Sequence, residues 1–151
     1  MDLRESLITK YPEITSAPAI IETKIMWGHM DSANHVNNLI YLQWAETARV
    51  LYFEKMGMDT TFSGAEGPIL GWQDGKYIYP LTYPDDVLVT EVVIELLEDR
   101  FVLESKIYSL QKTRIAAISK QHIIPYSYKE LKKIPLPDKW ISNIKRLQST
   151  F

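Results

Sequence analysis

The chain of 151 residues contains no cysteine. This absence excludes disulfides, thiolate metal ligands and a cysteine nucleophile, and it fits a reducing compartment. No apolar run approaches the roughly 20 residues that a membrane-spanning helix needs. The N-terminal residues 1–7 mix acidic and basic side chains and lack the apolar core of a signal peptide. We therefore expect a cytoplasmic protein without a membrane partner.

Positive charge is not in excess either, because 17 Lys and Arg stand against 19 Asp and Glu. Proteins that bind nucleic acids concentrate basic residues on one face, so no nucleic-acid partner is expected. The chain also has no Gly-rich phosphate loop of the Walker or Rossmann type. With 46% hydrophobic residues it has the composition of a globular protein. Its length favours a single domain over residues 1–151.

The most informative segment is residues 27–38, which read Trp-Gly-His-Met-Asp-Ser-Ala-Asn-His-Val-Asn-Asn. The residues before it, Ile21 to Trp27, alternate like a half-buried strand, and Leu39 to Met56 repeat like a helix. Asn is a favoured N-cap and Gly a favoured C-terminal residue, so the helix is predicted to begin after Asn37 and to end at Gly57.

A strand-to-helix junction aims backbone N–H groups and the positive end of the helix dipole at one point in space. This junction also carries a carboxylate, that of Asp31. Hydrolysis of an acyl group needs a group that attacks or activates water and donors that hold the oxyanion. The segment therefore indicates acyl-transfer chemistry.

The rest of the chain is predicted to be mostly strand. After a loop at residues 59–67, apolar runs and polar breaks at 98–100 and 111–113 favour antiparallel hairpins; the predicted strands are Ile69–Tyr79, Val87–Leu97, Phe101–Leu110 and Ile115–Pro125. Residues 1–18 are predicted to form an N-terminal arm, and residues 129–151 an extension with a short helix after Pro137. The long helix has no continuous polar face in this interpretation. The order of elements predicts an α+β fold with one helix across a curved antiparallel sheet.

The junction segment 27–38 and the helix after it resemble the hotdog-fold acyl-CoA thioesterases of the 4-hydroxybenzoyl-CoA thioesterase type. The family pattern runs aromatic-x-Asp-x-Asp-x-x-Gly-His-Val-Asn-Asn, then x-x-Tyr, then Glu and Arg along the helix. The chain agrees with it at Trp27, Asp31, His35, Val36, Asn37, Asn38, Tyr41, Glu46 and Arg49. Residues 77–87 resemble the second family stretch, a strand that enters a Pro-bounded turn. The resemblance covers residues 19 to 127 and implies a hotdog fold, with a long central helix wrapped by a curved antiparallel sheet.

The resemblance also implies a mechanism. Asp31 corresponds to the catalytic aspartate, which acts as nucleophile or as general base for water. The backbone N–H of Asn38 corresponds to the donor that polarises the thioester carbonyl. The implied reaction converts an acyl-CoA and water into a free acid and coenzyme A, without a cofactor. Family members join sheets edge to edge, and an exposed strand edge is otherwise a liability, so we expect a dimer or a dimer of dimers.

Two positions depart from the family pattern. Asn34 replaces a glycine, and Asn is the non-glycine residue that best tolerates a left-handed backbone. His29 replaces the first acid of the pattern. Because residues i and i+2 of an extended chain share a side, we expect His29 to lie beside Asp31 and to support it.

Three further residues are assigned supporting parts. His35 is interpreted as a residue that shapes the loop by packing and hydrogen bonds, because a general base next to Asp31 is redundant. Asn37 is predicted to be the helix N-cap. Glu46 stands three residues before Arg49, so an ion pair within the helix and support of the site are both open.

Other chemistries compete with this hypothesis. His29, Asp31 and His35 are residue types that bind zinc, but their spacing is not a helical ligand pair and the resembled enzymes are metal-free, so no metal is predicted. A hotdog enoyl-CoA hydratase or dehydratase, in which an Asp–His pair moves protons on the acyl chain, is the first alternative. A non-catalytic acyl-CoA-binding module is the second. The sequence selects neither the acyl group nor the residues that bind coenzyme A.

Overall fold

The computed structural model describes residues 1–61 and 64–151. Its helices are α1 (Leu3–Lys10), α2 (Asn38–Lys55) and α3 (Asp138–Leu147), and its strands are β1 (Ala19–Lys24), β2 (Glu66–Gln73), β3 (Lys76–Tyr77), β4 (Asp86–Leu96), β5 (Phe101–Ser109), β6 (Arg114–Ser127) and β7 (Lys132–Lys133). Within these ranges the seven strands form one sheet in the order β1-β4-β5-β6-β2, with β3 and β7 added to β6. All pairings are antiparallel, and the sheet curls around α2. This is the predicted α+β fold.

The central helix α2 has the predicted ends. The Oδ1 of Asn37 accepts the Leu39 N–H at 2.9 Å and caps the first turn. At the other end Gly57 adopts a φ of 79°, the left-handed conformation that closes a helix. The helix buries a broad face against the sheet, comprising Tyr41, Trp44, Ala45, Ala48, Arg49, Tyr52 and Phe53.

The outward side of α2 is mostly polar but not continuous, because the apolar Val50 lies between Thr47 and Glu54 on it. Gln43, Glu46, Thr47 and Glu54 are not buried and recur at the spacing of one helix face. The sheet therefore covers one side of the helix, while this polar stripe faces outward.

The long strands agree with the sequence, but the first strand, the strand 69–79 and the end of the loop 59–67 differ from the prediction. The first strand ends at Lys24, opposite Asp86 at the start of β4, so the chain beyond it has no strand to pair with. Residues Trp27–His29 form a 3₁₀ turn instead, and Trp27 is 72% exposed. The predicted strand 69–79 is split into β2 and β3. The predicted loop 59–67 includes Phe62 and Ser63, which lie outside the described residues. Its last two residues differ from the prediction, because β2 already begins at Glu66.

Both terminal segments pack on the body formed by α2 and the sheet. Leu7 and Ile14 of the N-terminal arm contact Leu88, Tyr108 and Leu110 on the face of the sheet that points away from α2. The predicted C-terminal helix forms as α3 and closes the end of α2. Its Asn143 amide donates to the Met56 carbonyl at 2.7 Å, and its Arg146 guanidinium donates to the Lys55 carbonyl at 3.0 Å. Among the described residues, no helix combines the length and apolarity that crossing a membrane requires.

A buried polar cluster lies between α2 and the sheet. Glu91 of β4 is fully buried and accepts a hydrogen bond from the Ser105 hydroxyl, which in turn accepts one from the Gln121 side-chain amide at 2.7 Å. The Nη1 of Arg49 and the Oε1 of Glu91 are buried and have no hydrogen-bond partner among the described residues. Desolvation raises the pKa of Glu91 to about 8, against the opposing effects of the Ser105 hydrogen bond and the Arg49 charge.

This cluster predicts a pH-dependent stability. The folded state holds the Glu91 proton up to about pH 8, whereas the unfolded chain releases it near 4.5. The contribution of Glu91 to the free energy of unfolding is therefore fully present below pH 4.5. It falls by a few kcal/mol as the pH rises toward 8. Glu91→Gln keeps the acceptor for Ser105 and has no proton to lose. We expect it to flatten the pH dependence of the free energy of unfolding and to be more stable than wild type at pH 8.

Urea unfolding at pH 5 and pH 8 measures this effect. Glu95→Gln, an exposed carboxylate on the same strand, is the matched control and should follow the wild-type curve. If Glu91→Gln also follows the wild-type curve, the carboxyl group of Glu91 is not protonated in the folded protein.

Candidate active site

The segment between β1 and α2 is a tight loop held by its own backbone. The Asp31 N–H donates to the His35 carbonyl at 3.0 Å, and the Asn34 N–H donates to the Asp31 carbonyl at 2.9 Å. Asn34 has a φ of 60°, so the residue that replaces the family glycine adopts the left-handed conformation expected of it. The loop therefore closes around Asp31 without a glycine.

The carboxylate of Asp31 is held in place and remains exposed. Its Oδ1 accepts the Ala33 N–H at 2.9 Å, while its Oδ2 makes no hydrogen bond within the described residues. The side chain lines a cavity of about 390 Å³, whose other lining residues are Ala33, His35, Val36, Asn38, Tyr41, Tyr77, Ile78, Tyr79 and Pro80. One oxygen of the carboxylate is thus anchored and the other is available to a molecule in the cavity.

The N-terminus of α2 opens into the same cavity. Asn38 is the first residue of the helix and lines the cavity together with Asp31. The following N–H, that of Leu39, is capped by Asn37, whereas the Asn38 N–H makes no hydrogen bond to another described residue. Asp31 and the first residue of α2, whose N–H is unpaired in the described part of the chain, therefore line one cavity at the helix end where the dipole favours negative charge.

The opposite wall of the cavity is docked on the first turns of α2. The Tyr41 hydroxyl accepts the Leu81 N–H at 3.0 Å and donates to the Tyr79 carbonyl at 3.4 Å. The Tyr77 hydroxyl donates to the Asn38 carbonyl at 3.1 Å, and its ring meets that of Tyr41 edge-on. Burial raises the pKa of Tyr41, so its hydroxyl stays protonated. This wall falls within the second family-like stretch of the sequence.

His29 does not make the contact predicted for it. Its Nδ1 accepts the Met26 N–H at 3.0 Å, and its ring packs edge-on against Trp44. It makes neither a hydrogen bond nor an ion pair with Asp31 in the described part of the chain. The cause is the 3₁₀ turn at Trp27–His29, because residues i and i+2 share a side only in an extended chain.

Of the other predicted supporting residues, the structure places Asn37 and His35 at the site and Glu46 away from it. Asn37 caps α2 as predicted, and His35 is exposed, lines the cavity and holds the loop through its backbone carbonyl. Glu46 lies eight residues beyond Asn38, about 12 Å along the helix, and does not line the cavity. It forms the predicted ion pair with Arg49 at 3.4 Å.

Two features of the structure were not predicted from the sequence: the contacts of Tyr77 and Tyr79 with α2, and a second cavity. Tyr77 and Tyr79 belong to the second family-like stretch, but their contacts with α2 were not predicted, because these contacts join segments about 40 residues apart. A second cavity, of about 310 Å³, lies where residues 13–18 and 147–150 meet β4 and β5, and it contains none of the predicted site residues. No group of three or more His, Asp or Glu side chains that suits a metal ion occurs in residues 1–61 and 64–151.

The fold is a curled antiparallel sheet packed on one long helix. Its candidate site holds a carboxylate near a backbone amide at the helix N-terminus that is unpaired among the described residues. The family model of the Thioesterase-like superfamily matches residues 25–144, and the chain belongs to that family. The match supports a thioester hydrolase. No curated protein sequence matches the chain at a comparable level.

Solved structures share the fold over most of their length. The PA2801 protein of Pseudomonas aeruginosa is 29% identical with a TM-score of 0.75, covering 85% of this chain and 98% of its own. A thioesterase from Thermus thermophilus, complexed with coenzyme A and Zn, is 20% identical with a TM-score of 0.79, covering 90% and 98%. Slr0204 of Synechocystis, a 1,4-dihydroxy-2-naphthoyl-CoA thioesterase, is 20% identical with a TM-score of 0.74, covering 83% and 94%.

The docking of the wall predicts the effect of one hydroxyl group. Tyr41→Phe removes the acceptor of the Leu81 N–H and the donor to the Tyr79 carbonyl, so we expect a loss of about 1–2 kcal/mol in the free energy of unfolding. Urea denaturation measures it. Tyr126→Phe removes a hydroxyl that makes no hydrogen bond to a described residue and is the control. Equal stabilities of the two variants would contradict the role of Tyr41.

Proposed function

We propose that the protein hydrolyses acyl-CoA thioesters at the cavity between Asp31 and the N-terminus of α2. The observation that carries the proposal is the one cavity that Asp31 and Asn38 both line, together with an Asn38 N–H that has no hydrogen-bond partner among the described residues. Membership of the Thioesterase-like superfamily and the coenzyme A bound by the Thermus thermophilus neighbour support it. The narrower 4-hydroxybenzoyl-CoA thioesterase type remains a prediction.

In the proposed reaction the Asn38 N–H donates a hydrogen bond to the thioester carbonyl oxygen, which gains negative charge as the carbonyl carbon becomes tetrahedral. One well-placed donor of this kind contributes about 3 kcal/mol of transition-state stabilisation. As general base, Asp31 takes a proton from the attacking water, the C–S bond breaks, and the proton goes to the departing coenzyme A thiolate. As nucleophile, Asp31 instead attacks the carbonyl carbon and displaces the coenzyme A thiolate, which forms an acyl anhydride. Water then cleaves the anhydride into the free acid and the Asp31 carboxylate, and the proton it releases goes to the thiolate. Both routes need one unpaired carboxylate oxygen, which Oδ2 provides.

The remaining proposed site residues position Asp31 and the Asn38 N–H and do not contact the substrate themselves in this proposal. Asn37 fixes the start of α2 and hence the direction of the Asn38 N–H. His35 holds the loop through its carbonyl, and His29 fixes the preceding turn on Trp44. We assign Glu46 to the Arg49 ion pair and to no step of the reaction.

The proposed function is tested by following thiol release from short, medium, long-chain and aryl acyl-CoA esters. We expect turnover by wild type and a loss of at least about a hundredfold in kcat/KM in Asp31→Asn. The amide keeps an oxygen that accepts the Ala33 N–H, so the loop is expected to stay folded while the charge is lost.

Asp74→Asn is a matched control, because the Oδ1 of Asp74 also accepts a backbone N–H, at 2.7 Å from Lys120, and Asp74 does not line the cavity. We expect it to turn over like wild type. Wild-type kcat/KM in a folded Asp31→Asn variant would refute the assignment. Hydration of an enoyl-CoA without thiol release would instead favour the hydratase alternative, and coenzyme A binding without any turnover would favour a binding module.

We also propose that the protein forms at least a dimer through β2. This strand lies at one end of the strand order and exposes Ile69, Leu70 and Trp72 by 39, 40 and 49%. A second copy that pairs with this edge would cover the apolar side chains and satisfy its backbone.

Sedimentation at micromolar concentration tests the assembly. We expect wild type to be at least dimeric and Leu70→Lys to shift toward monomer, because the substitution places a charge in the proposed interface. Leu131→Lys, at an exposed loop position, should assemble like wild type. A monomeric wild-type protein that retains activity would contradict this proposal.

A further inference from the structure

The cavity of Asp31 carries no positive side chain of its own. None of its ten lining residues is Lys or Arg, and its one acidic residue is Asp31. Coenzyme A, in contrast, carries a diphosphate and a ribose phosphate. A site that binds it beside a carboxylate needs a basic group within reach, and the sequence did not indicate which of the 17 Lys and Arg provides it.

Arg114 is a basic residue that the structure places against a residue of the cavity wall. It is the first residue of β6, and its guanidinium lies over the Tyr79 ring, with Cζ 4.6 Å from the ring centroid. Tyr79 itself lines the cavity. Stacking on an aromatic face holds a guanidinium in one plane and leaves the edges of the group free to donate hydrogen bonds.

Arg114 also differs from every other arginine in the chain. Of the five arginines, Arg4, Arg49 and Arg100 have carboxylate partners, and Arg146 donates to a backbone carbonyl. The Arg114 side chain has neither a hydrogen bond nor an ion pair among the described residues: its Nε is buried without a partner, and its equally unpaired Nη1 and Nη2 are not fully buried. An unpaired buried donor is costly, and native proteins rarely retain one. A guanidinium that is held in place but lacks an acceptor is arranged for an external anion.

We propose that Arg114 binds a phosphate group of coenzyme A, with Tyr79 as the platform that orients it. This inference rests on the proposed function for the identity of the substrate. The chemistry recognised is an anionic oxygen group that takes two hydrogen bonds from the guanidinium. An anionic substituent on the acyl group presents the same chemistry, and the two sources are separated by the choice of substrate.

Binding of free coenzyme A, measured by calorimetry, tests the proposal without turnover. We expect Arg114→Gln to weaken the affinity about tenfold, the effect of losing about 1.4 kcal/mol of charge-assisted hydrogen bonding. Arg114→Lys should recover part of the loss, because it restores the charge but not the planar fork. Arg100→Gln removes the same charge at the opposite end of β5, about 27 Å along the strand, and should bind coenzyme A like wild type.

The source of the anion is tested with two thioesters of one uncharged acyl group, the coenzyme A ester and the N-acetylcysteamine ester, which has no phosphate. We expect Arg114→Gln to lower kcat/KM about tenfold more for the coenzyme A ester. Equal losses for both esters, together with an added loss for a carboxylated acyl group, would transfer the contact to the acyl moiety and overturn the phosphate assignment. Unchanged coenzyme A affinity in Arg114→Gln would overturn the proposal entirely. Wild-type coenzyme A binding without hydrolysis would refute the proposed reaction and leave the Arg114 comparison intact.

Discussion

The site depends on the docking of the first turns of α2 against the segment that precedes β4. Tyr41 fixes both sides of this contact, since one hydroxyl serves the Leu81 N–H and the Tyr79 carbonyl. The Val36 N–H adds a bond to the Leu81 carbonyl at 2.8 Å from the side of the Asp31 loop. Loop, helix and wall therefore meet around one cavity, and the position of the Asn38 amide relative to Asp31 follows from this contact.

Further along α2 the helix lies over polar groups instead of a purely apolar core. Arg49 and Glu91 are buried together, and both retain an atom without a partner in the described part of the chain. Because burial keeps Glu91 protonated below about pH 8, the two groups gain little ionic attraction there, while the Arg49 guanidinium still carries the cost of desolvation.

The sequence predicts those parts of the fold that depend on short-range pattern. The limits of α2 follow from an N-cap at Asn37 and a glycine at position 57, and the left-handed turn at Asn34 follows from the tolerance of that residue. The four long runs of strand are found because alternation and polar breaks mark them locally. The family resemblance adds the hotdog topology and the pairing of Asp31 with Asn38.

What the sequence does not predict depends on contacts between distant segments. The strand-like alternation of residues 21–27 continues past Lys24, but β4 offers no partner there and the chain turns, which moves His29 away from Asp31. The stacking of Arg114 on Tyr79 joins residues 35 positions apart, and nothing in the local pattern distinguishes Arg114 from the other basic residues. Both are consequences of tertiary packing.

A crystal structure with a non-hydrolysable acyl-CoA analogue, in which a ketone replaces the thioester, tests the central claim most directly. The account predicts that the carbonyl oxygen lies about 3 Å from the Asn38 nitrogen and that the carbonyl carbon faces the free oxygen of Asp31. The account would be contradicted by an analogue bound in the second cavity, where residues 13–18 and 147–150 meet β4 and β5. It would also be contradicted by an analogue whose carbonyl is held by a different donor.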